Sequence, residues 1–301
     1  MAETEDLCQR LRRKPIVIAP GVYDPLTAMI AEKAGFTTLY VTGGGIAYTR
    51  LGRPDIGLVS VSEVADTIAL IRDRVEANLI VDADTGYGNA LNVQRTVRSF
   101  ERAGATAIQL EDQGFPKRCG HLDDKAVVSA DEMVGKIHAA VDARRSERTL
   151  IVARTDAAAV EGLAAALDRA ARYRDAGADM LFIEAPTGRE QLAEITRSIG
   201  ESIPLMVNLV EGGKTPALTA DELEQLGFSL AIFPGGIVRA LARTAVDYYA
   251  SLAAHRSTEP FRSHMFNFTE LNELLGTPDM LERSQRYAPD QDPAGSGKVR
   301  A

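Results

Sequence analysis

Short apolar runs recur along the chain, and four of them follow the same local pattern. In each case a charged helical segment ends at a glycine, and an apolar run comes next. These runs begin at Thr38, Ala107, Met180 and Leu230. Glycine after a helix supplies a left-handed cap, and apolar runs of this length are typical of buried parallel strands. The pattern predicts a repeated helix and strand unit.

Four more apolar runs bring the predicted strands to eight. They cover residues 16–19, 79–82, 150–154 and 204–208. Eight strands alternating with helices over about 240 residues predict a (β/α)8 barrel of the TIM type. An open doubly wound sheet is the alternative, but no Gly-x-Gly-x-x-Gly motif follows the first strand.

Capping boxes, in which a Ser or Thr precedes a Glu by three residues, predict where three helices begin. They are Ser60-x-x-Glu63, Ser129-x-x-Glu132 and Thr219-x-x-Glu222. Further helices are predicted at residues 238–254, 268–275 and 278–286. These exceed what closes a barrel, so we expect them to pack on a neighbouring subunit. Residues 1–286 are thus predicted to form one barrel domain with a helical extension, and residues 287–301 a disordered tail.

Composition narrows the class of protein. The chain has 301 residues and a formal net charge of -8, and it contains no dense run of Lys or Arg, which makes nucleic acid an unexpected partner. The N-terminal segment lacks an apolar signal core, and no run approaches the ~20 apolar residues of a membrane span. Only two cysteines occur, Cys8 and Cys119. We therefore expect a soluble cytoplasmic protein.

Polar side chains stand where the predicted strands end, and these ends meet on one face of a barrel, where active sites lie. Burying such groups is costly unless they are paired or coordinated. One or two of them fit a polar network in the core, whereas the whole set indicates a site. The set is Thr42, Asp82, Asp84, Glu111, Arg154, Glu184 and Asn208.

The acidic members of this set predict a metal site. Asp82, Asp84 and Glu111 stand at strand ends, and Asp55 lies in a loop close enough to join them. Oxygen ligands of this kind suit Mg²⁺, with Mn²⁺ as the other candidate. An Asp-x-Asp segment alone also fits a loop turn or a helix cap. The charged residues at neighbouring strand ends favour the metal.

Two further features suit a carboxylate ligand. The Gly43-Gly44-Gly45 run after Thr42 lets backbone N–H groups approach an anion closely, although a flexible loop explains the glycines as well. Arg154 is placed to clamp a carboxylate with two hydrogen bonds. A buried ion pair with Glu184 is the alternative for that arginine.

The segment Lys117-Arg118-Cys119-Gly120-His121 lies in a connection from residue 112 to 128, which is long for a barrel and is a candidate lid. A free cysteine is usually a small buried apolar residue. Here Lys117, Arg118 and His121 favour the thiolate, so we predict a chemical role for Cys119. Zinc binding by Cys119 and His121 is the alternative, but no second ligand pair of suitable spacing follows.

These motifs, in this order, resemble the isocitrate lyase and phosphoenolpyruvate mutase superfamily over residues 10–286. The similarity rests on Tyr40 to Gly45, Asp82 to Gly88, Glu111 to Gln113, Lys117 to His121, Ala153 to Asp156 and Asn208 to Pro216. The cysteine-bearing loop is similar to that of the lyase branch, whereas phosphonate mutases carry a different gating loop. The compact 2-methylisocitrate and 2,3-dimethylmalate lyases are the nearer members.

The resemblance implies a role for each site residue. Asp84 would be the direct Mg²⁺ ligand, with Asp55, Asp82 and Glu111 holding its waters. A substrate carboxylate would bind Thr42, Gly43, Gly44 and Arg154, and Gly120, Glu184, Asn208 and Pro234 complete the predicted substrate site. Cys119 would transfer the proton at carbon, with Lys117, Arg118 and His121 around it. The family also implies a tetramer in which the last helix is exchanged between subunits.

The function predicted from the resemblance is carbon–carbon cleavage of a 2-alkylmalate or 2-methylisocitrate-like acid to pyruvate or a related 2-keto acid and a second carboxylate. The acceptor of the hydroxyl proton is left open between Tyr40 and a metal-bound hydroxide. Oxaloacetate hydrolysis or decarboxylation is the first alternative. Pro234 disfavours this alternative, because the hydrolases tend to carry Ser at that position. Phosphonopyruvate chemistry and a scaffold protein without turnover are weaker alternatives.

Overall fold

Eight short strands close into a parallel barrel in the computed structural model of the chain, which describes residues 5–120, 122 and 124–287. Each strand pairs with the next one along the chain, and the last pairs with the first, Leu230 lying opposite Val17. The strands are β1 (Val17–Val22), β2 (Thr38–Val41), β3 (Asn78–Asp82), β4 (Ala107–Glu111), β5 (Leu150–Thr155), β6 (Met180–Ile183), β7 (Leu205–Asn208) and β8 (Leu230–Phe233). The predicted (β/α)8 barrel is confirmed.

Helices connect the strands and follow the barrel. They are α1 (Leu7–Arg10), α2 (Pro25–Lys33), α3 (Gly43–Ile46), α4 (Val61–Arg72), α5 (Ala90–Ala103), α6 (Ala130–Ala143), α7 (Ala157–Val160), α8 (Leu163–Asp175), α9 (Arg189–Ile199), α10 (Ala220–Leu226), α11 (Gly236–His255), α12 (Phe268–Leu275) and α13 (Thr277–Gln285). A π-helix (Ala47–Leu51) follows α3, and a 3-10 helix (Glu259–His264) follows α11. The predicted C-terminal helices are confirmed to within two residues at each end.

The first strand differs from its predicted bounds. It continues past residue 19 through Pro20 and Gly21, a pair that usually marks a turn. Pro20 lies opposite Phe233 in the barrel, and Gly21 packs so tightly that a Cβ there would be 2.6 Å from the carbonyl carbon of Pro234. Closure of the barrel between β1 and β8 therefore overrides the local turn signal.

Two of the three predicted capping boxes are complete, those at Ser60 and Thr219. At the start of α6, Ser129 accepts a hydrogen bond from the Glu132 N–H, but the reciprocal bond is absent. The Glu132 carboxylate lies 3.7 Å from the Lys136 ammonium instead. The prediction of a full box there is wrong, because an ion pair one turn along the helix competes for the same carboxylate.

The interior of the barrel is apolar toward the amino ends of the strands. Leu7 and Leu11, from α1 and the residue after it, pack there among buried residues at the strand starts. The cluster continues with Val17, Ala19, Tyr40, Ile80, Ala107, Leu150, Val152, Met180, Phe182, Met206, Leu230 and Ile232. This packing closes one end of the barrel and leaves the carboxyl ends of the strands for the site.

The chain divides into two compact units at residues 240 and 241, within α11. The first unit contains the barrel. The second contains most of α11 together with α12 and α13, and none of its side chains from residue 241 to 287 is buried. A single domain over residues 1–286 stays a prediction, and the predicted tail from residue 288 onward lies outside the described residues. None of the described helices is both long enough and apolar enough to span a lipid bilayer.

Candidate active site

A cavity of about 70 Å³ lies at the carboxyl ends of the barrel strands. The predicted site residues that line it are Tyr40, Thr42, Gly44, Asp55, Asp82, Lys117, Cys119, Gly120, Arg154, Glu184, Asn208 and Pro234. Tyr48, Phe182, Val210 and Arg239 also line it and were not predicted. The barrel thus brings together side chains from most of its strands, as the strand-end pattern required.

Lys117 occupies the centre of the acidic cluster. Its ammonium nitrogen lies 2.5 Å from Asp55 Oδ1 and 2.7 Å from Asp84 Oδ1, and the side chain is only 4% exposed. Burial lowers the pKa of Lys117, but the carboxylates of Asp84 and Asp55 outweigh this effect and raise it well above its usual value. The lysine is therefore a fixed cation between two of the predicted metal ligands.

The Gly43-Gly44 segment lies directly against these carboxylates. A Cβ at Gly43 would be 3.3 Å from Asp82 Oδ2, and one at Gly44 would be 3.4 Å from Asp55 Oδ2. The glycines start α3, and the Thr42 hydroxyl accepts a hydrogen bond from the Gly45 N–H as its N-cap. The interpretation as a flexible loop is wrong here, because the segment is helical. Its glycines allow close packing of backbone on carboxylate.

The carboxylates are crowded and incompletely compensated. Burial, together with Asp82 and Asp55, raises the pKa of Asp84 to about 7, although Lys117 acts in the opposite direction. Burial also raises the pKa of Glu111 well above its usual value, and its Oε1 has no hydrogen-bond partner. Buried carboxylate oxygens with too few partners suit a divalent cation. In the described part of the chain, however, no three His, Cys, Asp or Glu side chains are arranged to hold a metal.

Arg154 is buried at the end of β5 among three carboxylates. Its Nη1 lies 3.0 Å from Glu111, its Nε lies 2.9 Å from Asp156, and its Nη2 lies 3.5 Å from Glu184. Burial lowers the pKa of this arginine, but the three carboxylates outweigh burial and raise it. The alternative of an ion pair with Glu184 is present, and the guanidinium still borders the cavity. Its role toward a substrate carboxylate stays a prediction.

Asn208 and Glu184 meet on the same side of the cavity. The Asn208 Nδ2 donates to Glu184 Oε2 at 3.2 Å, and the Ala185 N–H donates to the other carboxylate oxygen of Glu184 at 2.8 Å. Glu184 is 1% exposed. These bonds fix both side chains, so this wall of the cavity is preorganised.

Tyr40 is connected to Asp82 through a residue that was not predicted, Gln109. The Tyr40 hydroxyl donates to Gln109 Oε1 at 3.0 Å, and the Gln109 Nε2 donates to Asp82 Oδ1 at 3.4 Å. Burial, and then the charge of Asp82, raise the pKa of Tyr40 well above its usual value. The phenol is therefore held neutral, with its proton committed to Gln109.

The described residues of the predicted lid are joined at its base. Its base is a bridge between Gln113 and Val127, and the Gln113 side chain exchanges two hydrogen bonds with the backbone of Arg118, at 2.8 and 2.9 Å. Cys119 is half-buried and borders the cavity. The Arg118 guanidinium lies 3.6 Å from the exposed Asp124 carboxylate, and Arg118 does not line the cavity. His121 lies outside the described residues.

Gly120 brings the lid onto the barrel. A Cβ at this position would be 2.6 Å from the Glu184 Cγ and would overlap the Arg154 guanidinium. No side chain larger than hydrogen fits in that space. The thiol of Cys119, one residue away, is therefore presented beside the strand-end charges.

Two further buried residues, Asp156 and Lys125, were given no role from the sequence. Asp156 accepts two hydrogen bonds from Arg154 and one from Lys125. Asp156 follows Arg154 by two residues, the alternation that places side chains on one face of a strand. That spacing was a usable signal for Asp156, whereas nothing in the sequence distinguishes Lys125 from other loop lysines.

Residues 7–253 match the family model described as phosphoenolpyruvate phosphomutase. The chain is 42% identical to 2,3-dimethylmalate lyase of Eubacterium barkeri over 92% of this chain and 96% of that protein. It is 44% identical to 2-methylisocitrate lyase of Aeropyrum pernix over 92% of this chain and 88% of that protein. The chain belongs to the phosphoenolpyruvate mutase and isocitrate lyase superfamily, and the prediction of an enzyme of the lyase type is confirmed at this level.

Solved structures of related enzymes support this family assignment. A crystal structure of 2,3-dimethylmalate lyase superimposes with a TM-score of 0.90, 31% identity and 98% coverage of both chains. Oxaloacetate acetylhydrolase bound to 3,3-difluorooxalacetate gives a TM-score of 0.87 at 33% identity, covering 95% of this chain and 97% of that one. Phosphonopyruvate hydrolase, in complex with oxalate and Mg²⁺, gives 0.85 at 29% identity, covering 95% and 99%.

Proposed function

We propose that the protein is a Mg²⁺-dependent carbon–carbon lyase that cleaves a 2-alkylmalate or 2-methylisocitrate-like acid into pyruvate, or a related 2-keto acid, and a second carboxylate. The observation that carries the proposal is the position of Cys119, which the lid holds at a cavity lined by Arg154 and several carboxylates. A thiol beside fixed cations and a carboxylate-rich pocket is what proton transfer at carbon requires.

The metal would be held by Asp84, with Asp55, Asp82 and Glu111 around it. The buried oxygens and the raised pKa of Asp84 support this donor set. When bound, the ion would supply positive charge for the oxyanions of the substrate and the keto-acid product. Lys117 lies within 2.7 Å of Asp84, so we expect its ammonium to shift when the ion binds. Mn²⁺ is the other metal that this oxygen set would accept.

Substrate would lie between the α3 segment and the end of β5. Arg154 and the backbone of Thr42, Gly43 and Gly44 would bind one carboxylate, with Asn208 and Glu184 fixing the opposite wall. Gly120 packs against Arg154, so the closed lid would keep water from the carbanion. The cavity is small and suits a di- or tricarboxylate better than a larger ligand.

Cleavage needs two proton movements. Removal of the hydroxyl proton lets the carbonyl form as the C2–C3 bond breaks, and the bonding electrons pass to the departing fragment as an enediolate. The Cys119 thiol would then donate its proton to that carbon, leaving a thiolate that Lys117, which lines the same cavity, would stabilise. The raised pKa of Tyr40 and its bond to Gln109 oppose a standing phenolate, so Tyr40 would orient the substrate hydroxyl. The hydroxyl proton would pass to Asp82, the cavity carboxylate that Gln109 connects to Tyr40.

The apolar part of the cavity supports a branched substrate. Phe182, Val210 and Pro234 line it together, and Pro234 has no N–H to donate. An alkyl substituent at C2 or C3 would bury against these groups. The oxaloacetate acetylhydrolase neighbour favours hydrolysis or decarboxylation of oxaloacetate as the second candidate. Phosphonopyruvate chemistry is the weaker candidate, and the similarity to phosphonopyruvate hydrolase supports it.

The oligomer and location belong to the same proposal. Large apolar side chains of residues 241–287 are exposed, among them Leu241, Val246, Tyr249, Phe266, Phe268, Met280 and Leu281. An exposed apolar surface of this kind supports burial against another subunit. We propose a homotetramer built from dimers that exchange the last helix, located in the cytoplasm. Light scattering at micromolar concentration tests the tetramer, and a monomer would contradict it.

The test of function is release of 2-keto acid with and without Mg²⁺ from 2,3-dimethylmalate, 2-methylisocitrate and isocitrate, with loss of oxaloacetate measured in parallel. We expect Mg²⁺-dependent cleavage of one branched hydroxy acid. Loss of oxaloacetate alone would move the protein to the second candidate. Tight keto-acid binding without any turnover or Mg²⁺ dependence would leave only a scaffold role.

A further inference from the structure

Two buried lysines attach the lid to the barrel, one on each side of Cys119. Lys117 contacts Asp55 and Asp84, which the proposed function assigns to the metal. Lys125 contacts a different carboxylate, that of Asp156, at 2.8 Å, and its side chain is 1% exposed. The second attachment therefore does not depend on the residues that would hold the metal.

Lys125 also donates to the backbone carbonyl of Gly120. That carbonyl belongs to the residue directly after Cys119, and Gly120 has no room to move toward Arg154 or Glu184. One ammonium thus joins the tip of the lid to the end of β5. A shift of Lys125 would shift the thiol-bearing segment with it.

The barrel side of this attachment is rigid. Asp156 accepts two bonds from Arg154, and its own N–H donates to Asp112 Oδ1 at 2.9 Å. Asp112 is in turn bonded by the hydroxyls of Thr155 at 2.7 Å and Tyr173 at 2.8 Å. A carboxylate fixed by so many donors gives Lys125 one defined position when the lid is closed.

The ion pair also balances charge beside Arg154. Glu111, Asp156 and Glu184 surround that guanidinium, and Lys125 is the second cation within hydrogen-bond distance of Asp156. Asp156 is therefore paired both with the lid, through Lys125, and with Arg154, which borders the cavity.

We propose that Lys125 is a positioning residue that latches the lid, holding Cys119 at the cavity through the Gly120 carbonyl and the buried pair with Asp156. It acts through Gly120 and Asp156 and does not touch substrate. The inference rests on the proposed function in one respect, that Cys119 is the thiol that acts on substrate. The latch itself is a property of the free protein.

The chain carries its own reference for a test, because its other thiol is at the opposite end of the barrel. Cys8 packs against the apolar cluster around Leu7 and Leu11. Alkylation by iodoacetamide is followed at both cysteines by mass spectrometry of the same sample. Alkylation rates are measured at pH values high enough that the rate no longer rises with pH at either cysteine. A change in thiol pKa between variants then does not affect the comparison.

Lys125→Met keeps an unbranched side chain out to Cε and removes the ammonium. We expect Cys119 to be alkylated at least about tenfold faster in this variant, with the rate at Cys8 unchanged, since an unlatched lid exposes only its own thiol. Lys125→Arg should restore slow alkylation in part, because it keeps a donor and a charge. Asp124→Asn, an exposed lid change next to Lys125, is the matched control and should match the parent protein.

An unchanged Cys119 rate in Lys125→Met would overturn the latch. Parallel acceleration at Cys8 and Cys119 would also overturn it, since that result means general loss of stability. If the lyase reaction is established, Lys125→Met should lower kcat by about tenfold or more while KM changes less. The labelling needs no substrate. The latch can therefore be disproved while the proposed function holds, and the proposed function can be disproved while the latch holds.

Discussion

The two ends of the barrel interior differ in what fills them. At the amino ends of the strands the side chains are apolar, and Leu7 and Leu11 complete their packing. At the carboxyl ends the interior is charged, with Asp82, Glu111 and Arg154 all less than a tenth exposed. The first end contributes stability through burial of apolar surface. The second end reduces stability, because buried charges are compensated only where partners reach them.

Gln109 marks the boundary between these layers. It is fully buried, and it joins the Tyr40 hydroxyl, whose ring belongs to the apolar cluster, to the Asp82 carboxylate. Toward the amino ends of the strands, the shape and volume of a side chain matter more than its exact identity. Toward the carboxyl ends, the position of each hydrogen and charge decides the chemistry. Substitutions at the amino ends should therefore change stability, and substitutions at the carboxyl ends should change activity.

Cys119→Ser should remove most of the activity. The hydroxyl is a far weaker acid than the thiol, so we expect turnover to fall by about 10²- to 10⁴-fold, the usual contribution of a general acid. Steady-state release of 2-keto acid from the identified substrate measures this. Binding of pyruvate, measured by calorimetry, should remain close to that of the parent. Near-normal turnover would remove Cys119 from the mechanism.

Asp84→Ala should abolish Mg²⁺-dependent activity, because it removes the proposed direct ligand. Chelation of the parent enzyme with EDTA should give the same loss, reversed by added Mg²⁺. A titration of activity against Mg²⁺ compares the two proteins. Circular dichroism of the variant checks its fold, because the change also removes one of the two carboxylates paired with Lys117. Full activity would contradict the ligand assignment.

Leu11→Ala tests the other end of the barrel. Leu11 is 3% exposed within the apolar cluster, so its truncation should lower the free energy of unfolding by about 2–5 kcal/mol. Urea denaturation measures this loss. At temperatures where the variant is folded, kcat should equal that of the parent. A kcat loss greater than the folded fraction accounts for would show that the two ends are coupled.

Gly120→Ala should reduce activity by about 100-fold, because its methyl group forces the lid away from Arg154 and Glu184. Gly114→Ala is the matched control in the same lid, since a Cβ there meets nothing closer than 3.7 Å. Comparison of kcat/KM for the two variants isolates the close approach at Gly120. Equal values would mean that the lid does not close as described.

Ser60→Ala should have the smallest effect of the set. It removes the N-cap of α4 and half of its capping box, and Ser60 does not line the cavity, so the change should cost about 1 kcal/mol of stability. Thermal unfolding followed by circular dichroism measures the change. Ser129→Ala, where the box is incomplete, should cost less. The reverse order would mean that the reciprocal bond adds nothing.

Most of the fold could be predicted from the sequence. All eight strands were located, with ends displaced by up to three residues at β1, where Pro20 and Gly21 continue the strand. Such predictions succeed because strands, glycine caps and turns leave local signals. The helical state of Gly43 to Gly45 was missed, because three glycines favour no regular structure by themselves. Packing against Asp82 and Asp55 decides it.

Short-range sequence patterns specify the barrel and the kinds of side chain at the strand ends. Which charges pair follows from the three-dimensional arrangement of the chain. Lys117 reaches Asp55, 62 residues earlier, and Lys125 reaches Asp156, 31 residues later. Such partners are fixed by closure of the barrel and by the path of the lid. Electrostatic pairing depends on distance in space, and sequence separation carries little information about it.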